Sequence, residues 1–466
     1  MPTVTLIPTA RATFAVDAAR QRTAEARALI AELGGDVRGP DGLVLNDRNA
    51  AQATAFVEAG TDLVINVCAT FCDASPLLRL YRGLDRPLLL WAFREPGQTG
   101  DRLWLNSLCG ANLAGHALVR SGGSVRLLHG DPEEPQVRDV LRLALRGVLP
   151  PAVPSQDPGR ARDDAGDVRR ALRSLRGRVI GLAGEAPAGF TPSEYDPALL
   201  GRLLGLRVRA FGLEELFGEV RGVGAARREA EVAAAVTAQP SLGDVDRSQA
   251  GLAAATTAAL RDWSRRESLA AIAVRCWPEF PVELGVCPCS SLSRLADEGT
   301  PTACERDVYG AATMLLLEAL GAGPTYLVDT VDLDASANLI RVWHCGSAAT
   351  RLAADPGHAT QSVHCNRKIG VAGNFALRTG RVILARLAED PAAGGLRLLV
   401  TSGESVAEPN RFQGNTAAVR MDADAEQYVH GLVTGGFPHH TVLAWADVRP
   451  RLRAAADLLG IPLREW

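Results

Sequence analysis

The sequence contains a single lysine, Lys368, among its 50 lysine and arginine residues, and aromatic residues make up only 5% of it. We attribute the excess of arginine to genome composition rather than to nucleic-acid binding. The scarcity of lysine has a chemical consequence, because a Schiff-base mechanism would have one candidate nucleophile only.

The sequence also lacks a strong net charge and a long apolar run. Its formal net charge is −3 at pH 7, which gives no general basic surface for nucleic acid or an anionic membrane. No uninterrupted apolar run reaches membrane-spanning length, and the first residues lack the basic and apolar regions of a signal peptide. Nine cysteines without a secretion signal indicate reduced thiols, so we expect a cytoplasmic protein without nucleic-acid or membrane partners.

The apolar runs of the first part of the chain alternate between strand-like and helical patterns. The predicted strands cover residues 4–7, 63–67, 88–91 and 125–128, and the predicted helices cover residues 15–33, 108–120 and 137–148. This alternation predicts a parallel sheet covered by helices.

The remaining sequence predicts two further units. A polar break from Pro150 to about Arg178 precedes a second α/β unit that starts with a strand at 179–183 and ends with one at 325–328. After Asp329, short runs split by glycine, proline and asparagine predict antiparallel strands. We therefore predict an α/β protein with two Rossmann-like domains that have parallel sheets, residues 1–170 and 171–328, and a C-terminal, mainly antiparallel β domain, residues 329–466.

Three polar residues stand in short phrases that are typical of a functional site. Glu305 lies in A-C-E-R-D-V-Y-G, Asp329 ends the apolar run P-T-Y-L-V-D, and His440 closes G-G-F-P-H-H. Taken singly, each has an ordinary structural alternative: a first-turn helix carboxylate, a turn residue after a strand, and a hydrogen-bonded histidine. Together, two carboxylates and an imidazole suit a hard or borderline divalent ion and leave positions open for substrate.

At these residues the chain resembles the L-fucose isomerase / L-arabinose isomerase family. The resemblance rests on C-E-x-D-x-x-G-A around Glu305, the aspartate after the apolar run at Asp329, H-C-G beginning at His344, and H-H-T around His440. It implies a metal-dependent aldose–ketose isomerase that acts on a pentose, a deoxyhexose or a modified hexose through a cis-enediol intermediate.

The resemblance also implies a role for each of these residues. Glu305, Asp329 and His440 would hold Mn²⁺, with Co²⁺ and Mg²⁺ as alternatives, and His344 would be a further ligand or would orient a ligand instead. Glu305 and Asp329 would also be the catalytic residues that carry protons between C1 and C2 of the sugar.

Sugar contacts and assembly follow from the same resemblance. An arginine and a tryptophan of the N-terminal domain contact the sugar in this family, and Arg11 and Trp91 are the positions that fit. Glu279, in the phrase C-W-P-E-F, is a third candidate for the same cleft. The resemblance implies a homo-oligomer, either a trimer or a hexamer.

Neighbouring residues compete with two of these assignments. Asp332 and Asp334 follow Asp329 closely, and we prefer Asp329 because ligands emerge where the strands of α/β sheets end. His439 competes with His440, and we expect only one of them to reach the metal because adjacent strand residues face opposite sides.

Other functions remain as alternatives. Structural zinc is disfavoured because Cys68-x₃-Cys72 has no second knuckle nearby. A non-catalytic sugar-binding protein would be expected to lack at least one of Glu305, Asp329 and His440. A metal-dependent sugar epimerase or lyase would use a related enediolate.

Overall fold

The computed structural model describes residues 1–153 and 165–466, and its first part is the predicted parallel α/β unit. The strands are β1 (Thr3–Thr9), β2 (Asp36–Arg38), β3 (Leu63–Cys68), β4 (Leu88–Ala92) and β5 (Val125–His129). The helices are α1 (Val16–Glu32), α2 (Asp47–Glu58), α3 (Ala74–Tyr81), α4 (Ser107–Arg120) and α5 (Pro135–Ala144). The sheet order is β2-β1-β3-β4-β5 and every pairing is parallel.

Burial explains why this sheet forms from such apolar segments. All residues of β3 and β4 are buried, as expected for parallel strands that helices cover on both faces. The helix α4 approaches the chain after β3 closely, because a Cβ on Gly110 would lie 2.9 Å from the Cα of Phe71. This close packing places the loops at the carboxyl ends of β1 and β3 beside the start of α4.

The second part is also a parallel α/β unit. Its strands are β6 (Val179–Ala183), β7 (Arg207–Phe211), β8 (Leu269–Val274) and β9 (Thr302–Ala303). Its helices are α6 (Ala165–Leu175), α7 (Pro197–Leu204), α8 (Leu213–Gly222), α9 (Ala225–Ala238), α10 (Arg247–Arg266), α11 (Cys289–Asp297) and α12 (Val308–Ala319), with short helical turns at Thr191–Ser193, Pro240–Asp244, Phe280–Leu284 and Cys304–Arg306. The sheet order is β7-β6-β8-β9.

The third part is the predicted, mainly antiparallel sheet. Its strands are β10 (Thr325–Asp334), β11 (Leu339–His344), β12 (Thr360–Ser362), β13 (Ala372–Ala376), β14 (Gly380–Glu389), β15 (Leu396–Val406), β16 (Asn415–Met421), β17 (His440–Ala444) and β18 (Leu463–Glu465). Its helices are α13 (Ala425–Thr434) and α14 (Arg449–Leu459), with short helical turns at Thr350–Leu352 and Pro356–His358. The order β16-β11-β10-β17-β14-β15 closes into a ring because β15 also pairs with β16, and all of these pairings are antiparallel.

Two expectations about the joins between these parts are wrong. The run at 325–328 does not end the second sheet, because it begins β10 of the ring, and β10 continues beyond Asp329 to Asp334. An apolar run shows that a strand is buried but not which strand it pairs with. The predicted break before Arg178 contains α6, whose apolar residues Val168 and Leu175 are buried. Part of that break lies outside the described residues, and the domain limits themselves stay a prediction.

None of the helices in the described ranges is long and apolar enough to cross a membrane.

Candidate metal centre

Three separate segments bring Glu305, Asp329 and His440 together. Glu305 follows β9 at the edge of the second sheet, whereas the other two residues lie on paired strands of the ring. Asp329 on β10 stands directly opposite His440 on β17. The antiparallel register of β10 and β17 therefore sets two of the three side chains side by side.

Glu305 is presented by an unusual turn between β9 and α12. Its φ is +57° and that of Arg306 is +63°, which is left-handed backbone that residues other than glycine adopt rarely. The Arg306 guanidinium donates to the carbonyl of Gly184 at 2.8 Å and to that of Ser193 at 2.9 Å. The Ser193 hydroxyl donates to the Glu305 carbonyl at 2.5 Å, so loops of the second sheet hold this turn in place.

The imidazole of His440 lies close to both carboxylates, and its ligand atoms group with those of Glu305 and His439 and also with those of Asp329 and His344. His440 Nε2 is 3.3 Å from Glu305 Oε2 and 3.5 Å from Asp329 Oδ1. The other Glu305 oxygen accepts a 3.0 Å hydrogen bond from Trp277 Nε1. Asp329 Oδ1 and His440 Nε2 are buried without a hydrogen-bond partner among the described residues. Buried polar atoms in native proteins are usually paired, so these atoms indicate a missing ligand.

A buried ion pair orients His440 from behind. His440 Nδ1 lies 2.9 Å from Asp307 Oδ2, and Arg386 donates to the Asp307 carboxylate at 2.5 and 2.9 Å. Carboxylates that fix the ring of a metal-binding histidine in this way are common. Our sequence reasoning gave Asp307 no role, although it is the aspartate of the C-E-x-D phrase, and it missed Arg386 because nothing local marks it.

The two carboxyl groups differ in acidity. Burial raises the pKa of Glu305, but the adjacent imidazoles of His439 and His440 outweigh this effect and hold the pKa well below its usual range. Burial raises the pKa of Asp329 to about 7, against the lowering effect of His440. Burial lowers the pKa of His440, yet Asp307 and Glu305 raise it to about 10 overall. Carboxyl groups with separated pKa values are typical of acid–base sites.

The expectation that only one of the two adjacent histidines reaches the site is wrong. Because β17 begins at His440, His439 precedes the strand and the alternation of strand side chains does not apply to it. Its Nε2 lies 3.5 Å from Glu305 Oε2 and 3.9 Å from Asp329 Oδ1. Its ring packs edge-on against Phe71 and Phe190 at centroid distances of 5.6 Å.

His344 also lies beside the cluster, and its hydrogen bonding favours the tautomer that carries the proton on Nε2. Its Nδ1 accepts a 2.9 Å hydrogen bond from the backbone N–H of Cys345. Burial and the neighbouring His440 lower the pKa of His344 to about 3, so the ring is neutral and carries its proton on Nε2. This Nε2 is buried and has no hydrogen-bond partner among the described residues. A ring nitrogen of His344 lies within 4.8 Å of possible ligand atoms of Asp329 and His440. The hydrogen bond from Cys345 therefore favours His344 as a hydrogen-bond donor through Nε2 rather than as a metal ligand.

A cavity opens beside the cluster and is lined by all three parts of the chain. The lining comprises Arg11, Thr13, Phe14, Phe71, Asn106, Cys276, Trp277, Pro281, Cys287, Pro288, Cys289, Glu305, Asp329, Trp343, His344, Cys345, His364, Asn366, Arg367 and His439. The loops at the carboxyl ends of β1 and β3 contribute to it, which is where parallel sheets usually bind ligands.

The structure brings one of the three predicted sugar contacts to this cavity. Arg11 lines it, stacks 4.1 Å over the Trp277 ring, and lies 3.6 Å from Asp73. Trp91 does not line it, because its ring is fully buried under the first sheet and its Nε1 donates to the Gly130 carbonyl. Glu279 does not line it either and forms an ion pair with Arg275.

Trp277 takes the aromatic position that we had expected of Trp91. It lines the cavity, and its sequence signal was its place in the phrase C-W-P-E-F, from which we had chosen Glu279. The competing Asp332 is paired with Arg341 at 2.8 Å, and Asp334 accepts from Ser336 in a turn. Asp329 is therefore the aspartate of this strand that faces the cluster.

All nine cysteines are free thiols, and several gather near the cavity. Cys289 and Cys345 have sulfur atoms 3.7 Å apart, and both lie close to a ring nitrogen of His364. The His364 Nδ1 accepts from the backbone N–H groups of Asn366 and Arg367, so its neutral ring carries the proton on Nε2. That tautomer disfavours a metal site formed by these thiols and this histidine.

The fold and the cluster together form a polar site, lined by two α/β units and a β ring, whose residue types could hold a divalent metal ion. The residues present fit such an ion, since their oxygen and nitrogen donors converge with unpartnered atoms. No family model matches the chain.

Relatives with curated names identify the family. The chain is 32% identical over 471 residues to a sulfoquinovose isomerase of Alkalicoccus urumqiensis, which covers 100% of this chain and 99% of the relative. It is 30% identical to a sulfoquinovose isomerase from Priestia aryabhattai, in an alignment that covers 87% of this chain and 85% of the relative. It is 32% identical to one from Clostridium sp. (strain MSTE9), in an alignment that covers 84% of this chain and 83% of the relative. The chain belongs to the sulfoquinovose isomerase family. It is a sugar isomerase, that is, an intramolecular oxidoreductase.

The names of these relatives do not mention L-fucose or L-arabinose isomerases, so the similarity to that family remains a resemblance in sequence motifs. Among solved structures, a galactofuranose binding protein is 11% identical over 70% of this chain and 90% of that chain, with a TM-score of 0.18. This similarity is too low to support a structural or functional conclusion.

Proposed function

We propose that this protein is a metal-dependent aldose–ketose isomerase that converts sulfoquinovose, a glucose with a sulfonate on C6, into the corresponding ketose through a cis-enediol. One observation carries the proposal: Glu305, Asp329 and His440 come from three distant segments of the sequence, yet His440 Nε2 lies within 3.5 Å of both carboxylates, beside a cavity that Glu305 and Asp329 line. The sugar is the one that the relatives' names give.

Glu305, Asp329 and His440 are the residues that would hold the ion, and His439 offers a further nitrogen at similar distances. Mn²⁺ suits this mixture of carboxylate and imidazole donors, and Co²⁺ and Mg²⁺ are the alternatives. Of the two roles that the sequence left open for His344, the proton on its Nε2 supports the orienting role rather than that of a fourth ligand. We propose that it donates this proton in a hydrogen bond to Asp329 or to a sugar oxygen.

The protein's own acid–base groups account for the proton movements. When bound, the metal would offset negative charge on O1 and O2 of the sugar. Glu305, whose pKa is held low, is the carboxylate that removes the proton from C2. Asp329, whose pKa is raised to about 7, supplies a proton to O1. In the second half, Asp329 takes the proton from the O2 hydroxyl and Glu305 returns its proton to C1, so the sugar gains and loses no atoms.

Aromatic rings shield the reacting carbons from water. Phe71 and Phe190 pack on His439, and Trp277 packs edge-on against Phe190 while donating to Glu305. A site that excludes water strengthens the interactions of Glu305 and Asp329 with developing charge. The stacked Arg11 and Trp277 would form the sugar-binding wall.

The assembly and the location stay predictions. The proposed homo-oligomer, a trimer or a hexamer, can be checked by sedimentation velocity. A cytoplasmic location and the lack of nucleic-acid partners likewise remain predictions made from the sequence.

The direct test is to follow metal-loaded protein with sulfoquinovose in D₂O by NMR. The proposal expects a ketose, deuterium at the transferred carbon, loss of both with EDTA, and recovery on adding Mn²⁺. Glu305→Gln should fold and bind sugar but lose turnover by at least about 10²-fold, the usual contribution of a positioned base. Ketose formation that resists EDTA, or normal turnover by Glu305→Gln, would contradict the mechanism.

A further inference from the structure

The cavity contains two arginines in different states. Arg11 is engaged, because it stacks on Trp277 and faces Asp73. The guanidinium of Arg367 makes no hydrogen bond or ion pair with any residue in ranges 1–153 and 165–466. An arginine stays charged at every pH of interest, so a partly buried guanidinium without an anion is unfavourable.

The loop that bears Arg367 is held rigidly. Lys368 N–H donates to the His364 carbonyl at 2.9 Å, and Gly370 N–H donates to Gln249 Oε1 at 3.0 Å. Gly370 has a φ of +74°, and a Cβ there would lie 2.2 Å from the nitrogen of Cys287, so only glycine fits. The loop is therefore closed on itself and fixed against the second sheet's helices.

The first α/β unit fixes the same loop from the other side. Arg102 Nη1 donates to Asn366 Oδ1 at 3.2 Å and to the Thr13 carbonyl at 3.1 Å. A loop held on both sides loses little conformational entropy when a ligand binds. The backbone that carries Arg367 is thus preorganised, and its unpaired guanidinium lies in the wall of the cavity.

We propose that Arg367 binds an anionic group at the end of the sugar farthest from the carbonyl, and that it thereby selects a sulfonated sugar over a neutral one. The inference rests on the proposed function, which places the carbonyl end of the sugar at Glu305 and Asp329. A guanidinium offers parallel N–H donors to two oxygens of a tetrahedral oxyanion. His364, with its proton on Nε2, is a second cavity-lining donor beside it.

The test compares sulfoquinovose with glucose in wild type, Arg367→Gln and Arg367→Lys. Arg367→Gln should raise KM for sulfoquinovose by about 10- to 100-fold, the usual loss for hydrogen bonds to a charged group, and should change KM for glucose far less. Arg367→Lys keeps the positive charge but loses the parallel N–H donors of the guanidinium, so its KM for sulfoquinovose should lie between those of wild type and Arg367→Gln. Arg202→Gln, which removes an exposed arginine of α7, is the matched control and should leave both KM values unaltered.

The outcomes separate this inference from the proposed reaction. An equal rise in KM for both sugars, or no rise for either, overturns the role of Arg367. If wild type makes no ketose from sulfoquinovose, the proposed reaction fails, and calorimetric binding to EDTA-treated protein decides the inference. Tighter binding of sulfoquinovose than glucose that disappears in Arg367→Gln supports it, whereas equal binding of the two sugars overturns it.

Discussion

At the scale of single residues, the proposed metal centre depends on Asp307, a carboxylate on the far side of His440 from Glu305 and Asp329. Asp307 holds His440 by its Nδ1, caps the first turn of α12, and is itself held by Arg386. The three groups form one buried network, so Asp307 is a positioning residue rather than a ligand. It leaves His440 Nε2 facing Glu305 and Asp329.

Asp307→Asn should weaken metal binding by about 10- to 100-fold, since the tautomer and basicity of His440 depend on the carboxylate. It should also lower the free energy of unfolding by about 3–5 kcal/mol, because Arg386 is left as a buried, unpaired charge. Manganese affinity and thermal unfolding are the measurements.

Asp332→Asn is the matched control for that variant. It removes an aspartate from the ion pair with Arg341 on the same strand as Asp329. Manganese affinity should be unaltered in this control. Equal losses of affinity in Asp307→Asn and Asp332→Asn would show that Asp307 acts only through stability.

Single-residue prediction from the sequence worked where a short phrase carried the chemistry. The phrases around Glu305, Asp329 and His440 led to residues that the structure brings together. Trp91 was chosen by resemblance and proximity to a strand, and packing placed it in the core. Arg367 was passed over because the absence of a partner is a property of three-dimensional contacts, which no local pattern reveals.

At the scale of elements, the turn between β9 and α12 decides where Glu305 points. Arg306→Ala leaves the carbonyls of Gly184 and Ser193 without their donor, at a cost of about 1–3 kcal/mol for each buried group. We expect lower thermal stability together with weaker manganese binding, because the left-handed turn relaxes.

Arg451→Ala tests whether the weaker manganese binding expected of Arg306→Ala is specific to the turn or is a general result of lower stability. Arg451 on α14 donates to the Leu320 carbonyl at 2.8 Å and lies outside the cavity lining. Its loss should reduce stability without altering manganese affinity. If Arg306→Ala binds manganese as tightly as wild type, the turn does not position Glu305.

Element types were more predictable than their partners. Burial of apolar runs and their spacing indicated the parallel strands of the first sheet and the later antiparallel strands. The partner of β10 was predicted wrongly, because the same apolar run serves a parallel sheet or a closed ring equally well. The helix α6 was missed because its charged surface resembles a linker.

At the scale of the whole molecule, the proposed ion joins the second sheet to the β ring. Glu305 comes from one and Asp329 with His440 from the other, so binding stabilises the folded state against any opening between them. At a hundredfold excess over Kd, bound metal adds about 2.7 kcal/mol to the free energy of unfolding.

Differential scanning calorimetry should therefore show a Tm that rises with manganese and falls with EDTA. Glu305→Gln should lose most of this rise, whereas exposed Arg202→Gln should keep it. A Tm that is insensitive to manganese in wild type would contradict a site that joins the two parts.

The overall architecture was largely predictable, since two parallel α/β units and an antiparallel β unit follow from strand–helix alternation and its loss after Asp329. Closure of the ring was not, because it depends on pairing between β15 and β16, which the sequence pattern does not specify.

The most direct measurement is a crystal structure of the manganese-loaded protein with anomalous diffraction at the manganese edge. We expect one strong anomalous peak in contact with Glu305, Asp329 and His440, and a hydrogen bond from His344 Nε2–H to an oxygen atom. A peak elsewhere, or no peak at this cluster under saturating manganese, would contradict it.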